Sequence, residues 1–130
     1  MEHPVNLKYT AEHEWVRVEE GNIAVVGITD YAQSELGELV YVEVDTIDET
    51  LDKDEVFGTV EAVKTTSDLF MPVSGKVLEF NPALDDSEGD EPTLINESPY
   101  EKGWIIKIEM SNPAEVADLM DVEAYLEAIG

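Results

Sequence analysis

The chain contains no cysteine. Disulfide bridges, thiol nucleophiles and cysteine-ligated metals are thereby excluded. Histidine is nearly as scarce, since His3 and His13 are the whole complement and cannot form a histidine cluster. Basic residues number 7, one Arg and six Lys, against 31 acidic ones, leaving a formal net charge of −24. Such a chain repels phosphate backbones and anionic lipid, so no nucleic-acid and no membrane partner is expected. Long apolar runs are missing too: the longest strongly apolar stretch, Ile23–Ile28, is far shorter than a membrane span. The opening Met1-Glu2-His3-Pro4 has no basic region followed by an apolar one, the pattern of a secretory leader. A cytoplasmic protein is the expectation.

What the chain does contain argues for a folded β protein. Acidic composition alone could mean disorder, but 43% of residues are hydrophobic, with two Trp, five Tyr and three Phe among them. At 130 residues the length suits one domain, residues 1–130. Apolar residues fall mostly in short alternating runs bounded by Gly, Pro, Asn and Asp, the pattern of half-buried antiparallel strands. Residues 15–18 and 23–28 read as strands joined by a turn at Glu19-Glu20-Gly21-Asn22. Thr29 or Asp30 can cap a short helix in which Ala32 and Leu36 share a face and Gly37 is the stop. Residues 39–44 alternate as a strand, with Leu39, Tyr41 and Glu43 on one face and Val40, Val42 and Val44 on the other; the acidic stretch 45–54 reads as a solvated loop. Strands follow at 56–63, 69–71, 76–80 and 104–110, with turns at 64–68 and 72–75. In residues 85–91 five of seven are acidic, so an exposed loop is expected there. Near the C-terminus Asn112, Pro113 and Glu115 have the spacing of a capping box, and Asp121 can cap a second short helix running through Ala128.

Catalytic constellations are sparse. His13 has no Ser or Thr at a spacing that supports nucleophilic catalysis, and it reads more simply as a polar residue leading into the first strand. Acidic neighbours are so common that adjacency has little diagnostic value for acid–base chemistry. The loop 85–91 lacks the ligand spacing of an EF-hand, and no glycine-rich phosphate cradle is present. The informative residue is Lys64, between two strand-like segments, where a hairpin would project it into water. Taken alone it is a solvated charge. As a Schiff-base catalyst it is poorly placed, because exposure and surrounding carboxylates favour the ammonium over the nucleophilic amine. Its more plausible chemical use is as an attachment point, acylated by a dedicated enzyme.

Residues 57–77, with Glu61-Ala62-Val63-Lys64-Thr65-Thr66-Ser67-Asp68 at their centre and Pro72-Val73-Ser74-Gly75 after it, resemble the lipoyl-attachment segment of glycine cleavage H proteins. The likeness extends over nearly the whole chain, through Tyr9 with His13-Glu14-Trp15, Gly27-Ile28-Thr29-Asp30-Tyr31-Ala32-Gln33 with Leu36-Gly37, Leu94-Ile95-Asn96, Ser98-Pro99-Tyr100 and Gly103-Trp104. Three departures are visible: Thr65 stands where the family most often has alanine, Ala62 stands where serine is common, and the loop from Asp85 to Glu91 is longer and more acidic than is typical. A biotin acceptor would carry methionines beside its lysine, and here the neighbours are Val63 and Thr65.

The resemblance implies a barrel-sandwich hybrid of two small antiparallel sheets with short helices, and a carrier without catalytic residues or a metal site. Lys64 would bear lipoic acid in amide linkage, as N6-lipoyllysine, installed by a lipoylating enzyme. The arm would receive an aminomethyl group from the pyridoxal-phosphate-dependent decarboxylating glycine dehydrogenase. It would pass that group to the tetrahydrofolate-dependent aminomethyltransferase, and dihydrolipoamide dehydrogenase, through FAD and NAD, would reoxidise it. A carrier that visits three enzymes in turn is expected to be a monomer with transient contacts. Glu61 and Gly75 match positions flanking the lysine; Gly75 reads equally as a turn glycine. Glu14 and Asp68 match positions of a surface cleft where the loaded arm rests, and each reads equally as an ordinary surface carboxylate. Asp30 and Gly37 read as helix cap and stop.

Two rival readings remain at this level: a lipoyl carrier or lipoyl donor of the same type serving another pathway, and an unmodified acidic interaction or metal-binding module. The acidic excess itself reads as adaptation to high salt, hence to a halophilic host, because concentrated salt screens the self-repulsion that weakens a compact state.

Overall fold

The computed structural model describes residues 3–130, so the reading of the N-terminal residues lies partly outside it, at Met1 and Glu2. Among the described residues are strands β1 (Lys8–Tyr9), β2 (Glu14–Val18), β3 (Ile23–Ile28), β4 (Leu39–Glu43), β5 (Thr50–Leu51), β6 (Val56–Ala62), β7 (Thr66–Phe70), β8 (Gly75–Phe80) and β9 (Ile106–Met110). Helices α1 (Asp30–Leu36), α2 (Leu94–Glu97) and α3 (Val122–Ile129) accompany them. The strands form a six-stranded sheet in the order β1-β2-β3-β9-β8-β5 and a three-stranded sheet in the order β4-β6-β7, antiparallel throughout. This is the mostly-β, two-sheet architecture with short helices, one of them C-terminal, that the sequence implied.

Alternation along the strands explains how the sheets meet. Val16, Ala24, Val26, Ile28, Ile106 and Ile108 of the larger sheet are buried with Leu39, Val42, Phe57, Val60, Ala62 and Leu69 of the smaller one in a single apolar cluster. Residues of opposite parity, Trp15 and Val25, face the other side, where they pack with Tyr9, Tyr100 and Tyr125 of α3. Trp15 lies opposite Gly27 in the β2–β3 register, and a β-carbon on Gly27 would stand 2.7 Å from the indole ring. The ring therefore requires glycine there, and its Nε1–H donates to the Pro99 carbonyl at 3.0 Å. No buried side-chain nitrogen or oxygen among the described residues lacks a hydrogen-bond partner.

Several local expectations need correction. The alternation proposed for residues 39–44 is broken by a bulge between Leu39 and Tyr41, which shifts the side-chain parity so that Leu39 and Val42 are both buried while Val40 is 43% exposed. The stretch 45–54 is not all loop: Thr50 and Leu51 form β5 on β8, framed by Asp48 and Asp54, both at positive φ, a conformation aspartate tolerates better than most residues. The turn 64–68 is shorter than expected, because Thr66, Ser67 and Asp68 belong to edge strand β7, whose outer face carries polar residues. Gly75 begins β8 rather than completing a turn. Helix α2 was not anticipated. Thr29, not Asp30, caps α1, its side chain accepting from the Ala32 N–H; Asp30 sits inside the first turn and accepts from Gln33 Nε2 at 2.7 Å. Gly37, at φ +84°, stops the helix as expected. The capping box at Asn112 does not form: Pro113–Asp118 is a 3₁₀ helix, Asn112 makes no side-chain cap, and the Glu115 carboxylate instead accepts from the Ser74 N–H at 2.7 Å and the Ser74 hydroxyl at 3.2 Å. Asp121 does cap α3, accepting from the Ala124 N–H at 2.9 Å.

The charge excess is left almost wholly uncompensated. Two ion pairs occur among the described residues, Arg17 with Glu19 at 3.1 Å and Lys107 with Glu79 at 3.9 Å, both partly exposed. No helix among these residues is long and apolar enough to cross a membrane. Because the like charges lie at the surface, mobile ions screen them efficiently. The melting temperature should therefore rise by on the order of 10 °C between dilute buffer and molar salt. A midpoint that stays flat or falls in a calorimetric salt series would contradict the reading of the surface as salt-adapted.

Candidate functional site: a lysine hairpin beside a cleft

Strands β6 and β7 pair through Thr59–Asp68, Val60–Ser67 and Glu61–Thr66, and the Ala62 N–H donates to the Thr65 carbonyl at 2.7 Å. That closing bond leaves only Val63 and Lys64 at the apex. Neither adopts a left-handed backbone. The Val63 N–H also donates to the Glu38 carbonyl at 3.2 Å, which ties the turn to the residue before β4. Val63 is 70% exposed, Lys64 is exposed, and among the described residues the ammonium makes no ion pair. The outcome is an exposed amine on a short, laddered hairpin, a geometry suited to acylation and to presenting whatever is attached.

A cleft of about 220 Å³ opens beside this hairpin, at the seam between the two sheets. Its apolar lining comes from Ile28 at the end of β3, Ala32 and Leu36 of α1, and Val60 and Leu69 of β6 and β7; Glu12, Glu35 and Asp68 add carboxylates. His13 and Tyr31 form part of the wall, with their rings 5.0 Å apart.

Glu14 is the unusual member. It is not the surface carboxylate that the sequence allowed, since only 2% of it is exposed. Its Oε1 accepts from the Thr10 hydroxyl at 2.7 Å, and its Oε2 lies 3.4 Å from the Phe70 N–H. The Thr10 hydroxyl oxygen in turn accepts from the backbone N–H groups of Glu14 and Glu12. Burial pushes the Glu14 carboxyl up to about 8; the Thr10 and Phe70 hydrogen bonds oppose the rise, and the Glu12 and Asp54 charges add to it. No ion pair with Glu14 occurs among the described residues.

The remaining predicted site residues are distributed differently. Asp68 is exposed on β7 and lines the cleft, so the fold brings it together with Glu14 although 54 positions separate them in sequence. Glu61 is exposed on β6, three residues before Lys64, between Tyr41 and Thr66 in the sheet register. Gly75 stands in the other sheet between Leu51 and Met110, and a β-carbon there would lie 2.6 Å from the Glu109 carbonyl oxygen, so close backbone packing requires glycine. Sequence reasoning missed Thr10, which orients Glu14, and undervalued His13, whose backbone is left-handed at φ +70° and whose Nδ1 lies 2.9 Å from the Tyr125 hydroxyl. Burial pulls the His13 imidazole down, against the Glu12 and Glu35 charges. The four-residue separation of Thr10 and Glu14 was visible in the sequence; the meeting of His13 with Tyr125, 112 residues away, had no local signal.

A two-sheet β fold that presents an exposed, unpaired lysine at a hairpin tip, with a cleft at its side, has the geometry of a carrier module. Comparison with known proteins identifies the kind of carrier. The family model described as Glycine cleavage H-protein matches residues 7–130. A "Glycine cleavage system H protein" of Bacteroides fragilis is 54% identical over 125 residues, covering 96% of this chain and 95% of the relative, and one of Staphylococcus saprophyticus is 52% identical over 127 residues, covering 98% and 97%. The crystal structure of a glycine cleavage system H protein from Mycobacterium marinum superposes with a TM-score of 0.85 at 34% identity, covering 98% of this chain and 99% of that one. The chain belongs to the glycine cleavage H-protein family, whose members are the non-catalytic lipoyl carriers of glycine cleavage.

The raised Glu14 carboxyl has a consequence for stability. Between pH 4.5 and about 8 the folded chain holds a proton on Glu14 that the unfolded chain has already lost. Its contribution is therefore full below pH 4.5 and is lost as pH rises through that window. Relative to Glu14→Gln, the wild type should lose at least ~1–2 kcal/mol of stability between pH 5 and pH 9. Urea unfolding of both proteins at fixed high salt measures this; parallel pH profiles would show that Glu14 is not held protonated.

Proposed function

We propose that Lys64 is the lipoyl attachment site and that residues 1–130 act as one carrier unit, moving the aminomethyl group of glycine between the enzymes of glycine cleavage. The observation that carries this reading is the exposed, unpaired Lys64 at the apex of the β6–β7 hairpin, beside a cleft with an apolar lining and carboxylates. Lipoic acid fits that position: its amide needs an accessible amine, its hydrocarbon stem suits Ile28, Leu36, Val60 and Leu69, and its cargo amine suits the carboxylates. When attached, lipoate supplies a disulfide that takes up the aminomethyl group left when glycine loses carbon dioxide, and a dithiol once that group has been passed on.

The chain's own residues then bind and protect. The apolar lining excludes water from the arm. Asp68 and Glu35 attract a cationic amine toward the opening, and Glu14 lies further in, held by Thr10 at Oε1. With the cleft empty, burial keeps the Glu14 carboxyl neutral near pH 7. A cation brought beside its oxygens favours the carboxylate, so Glu14 gives up its proton on docking and becomes a charge-assisted acceptor. Glu61 belongs to the surface around Lys64 that a lipoylating enzyme would read, and Gly75 supports that enzyme's substrate by keeping β8 packed against β9.

The partners of this reading are the decarboxylating glycine dehydrogenase, the aminomethyltransferase, dihydrolipoamide dehydrogenase and a lipoylating enzyme, all met by a cytoplasmic monomer. Tethering the reactive group to a hairpin tip gives each active site a high local concentration of it without a stable complex. Peptide mass spectrometry of protein from its native host should find a lipoyl group on Lys64. Lys64→Arg should fold normally and lose all glycine–bicarbonate exchange with the dehydrogenase. An unmodified Lys64 in the host, or full exchange by Lys64→Arg, would sink the assignment.

A further inference from the structure

Behind the cleft, one side chain from the far end of the sequence meets both the His13 ring and the side chain that caps α1. Thr29 caps α1, its Oγ1 accepting from the Ala32 N–H at 3.1 Å, and the same oxygen lies 2.7 Å from the Tyr125 hydroxyl. The Tyr125 hydroxyl is also 2.9 Å from His13 Nδ1. Thr29 and Tyr125 are both wholly buried. One donor order satisfies every group: Ala32 N–H to Thr29, Thr29 O–H to Tyr125, and Tyr125 O–H to a neutral His13 whose proton is on Nε2. Tyr125 itself is immobilised, stacked on Tyr9 at 4.8 Å with 10° between the rings and met edge-on by His3 at 5.4 Å. The relay thus runs from an aromatic cluster to His13 and to the first turn of α1, whose Tyr31 packs its ring 5.0 Å from that of His13.

From this arrangement we infer that Tyr125 is a positioning residue for the carrier: its hydroxyl orients the His13 imidazole and the capping Thr29 side chain, and so sets the shape of the cleft that shields the loaded arm. The inference rests on the reading of the cleft as the arm's resting place. Its physical basis is that, among the described residues, the Tyr125 hydroxyl is the one side-chain group hydrogen-bonded to both the His13 ring and Thr29 Oγ1. Removing it strips a partner from two buried or half-buried polar groups at once, and each must then move to recover one. The backbone of His13, left-handed at φ +70°, is held by its N–H to the Thr10 carbonyl at 3.1 Å and by its carbonyl, which accepts from the Thr29 N–H at 3.0 Å; the Tyr125 hydroxyl adds the hydrogen bond that orients the ring. The charged groups that line the cleft, Glu12, Glu14, Glu35 and Asp68, take no part in the relay.

The test uses the full-length protein and two readouts. In the unlipoylated chain, amide exchange of Ala32 and Gln33 should be faster in Tyr125→Phe than in the wild type. In the lipoylated protein, with the arm reduced and then loaded using formaldehyde and ammonium, ammonia release should be roughly tenfold faster in Tyr125→Phe, while lipoylation of Lys64, followed by mass spectrometry, stays complete. Thr29→Ser keeps the hydroxyl and should behave as the wild type; Thr29→Val loses both the contact with Tyr125 and the cap of α1, and should release ammonia at least as fast as Tyr125→Phe. That pair decides the matter even if Tyr125→Phe folds poorly. Glu14→Leu separates this inference from the one beneath it. If Glu14→Leu speeds ammonia release and Tyr125→Phe and Thr29→Val do not, the positioning role is wrong and the cleft reading stands. If none of the three changes the rate, the cleft does not shield the arm and both ideas fail.

Discussion

Apolar contact between the two sheets is the interaction on which the rest of this molecule depends. With a net charge of −24 and two weak ion pairs among the described residues, electrostatics pushes the chain apart at low ionic strength. Cohesion comes from Val16, Val26, Ile106 and Ile108 meeting Val42, Phe57, Val60 and Leu69 across the interior. Because the smaller sheet is anchored through its inner face, the far end of its β6–β7 hairpin is free to protrude, and that end carries Lys64. The cleft is a product of the same contact. It opens where the end of β3, in one sheet, and β6 and β7, in the other, stop covering each other and α1 closes only part of the gap.

One carboxyl in the cleft differs electrostatically from the acidic surface around it. Most of the 31 acidic side chains face water, where ionisation is favourable. Glu14 is set apart by Thr10 and Phe70, and by a burial that favours the neutral acid. A protein this acidic would attract any cation loosely to its whole surface. A buried carboxyl oriented by Thr10 differs from the exposed carboxylates around it both in its proton affinity and in the direction in which it can accept a hydrogen bond.

Much of the fold was legible in the sequence, for local reasons. The β2–β3 hairpin follows from alternating apolar residues and from Gly21, which sits at φ +62° in the turn. Helix α1 follows from a Thr cap and a Gly stop, and α3 from Asp121. Where reading failed, a non-local partner had prevailed over a local preference. Glu115 abandons the capping box because the Ser74 N–H is a better-placed donor, 41 positions away. Thr50 and Leu51, among charged residues, are a strand only because β8 offers an edge. α2 forms where Asn96 bridges the Leu39 N–H to Gln33 and the Gly37 carbonyl, closing the C-terminal end of α1.

The sequence by itself determined that the chain folds as β sheets, that Lys64 falls on a hairpin, and, through motifs spread over nearly its whole length, the family to which it belongs. These depend on periodicity, turn chemistry and residue identity, all of which are written along the chain. Only the tertiary structure decided that Glu14 is buried, with its carboxyl pushed up, while Asp68 is exposed, that Gly75 serves close packing against Glu109, and that Thr10, His13, Thr29 and Tyr125 converge at one cleft. Burial and long-range hydrogen bonding depend on which distant segments become neighbours, and no local pattern of residues encodes that.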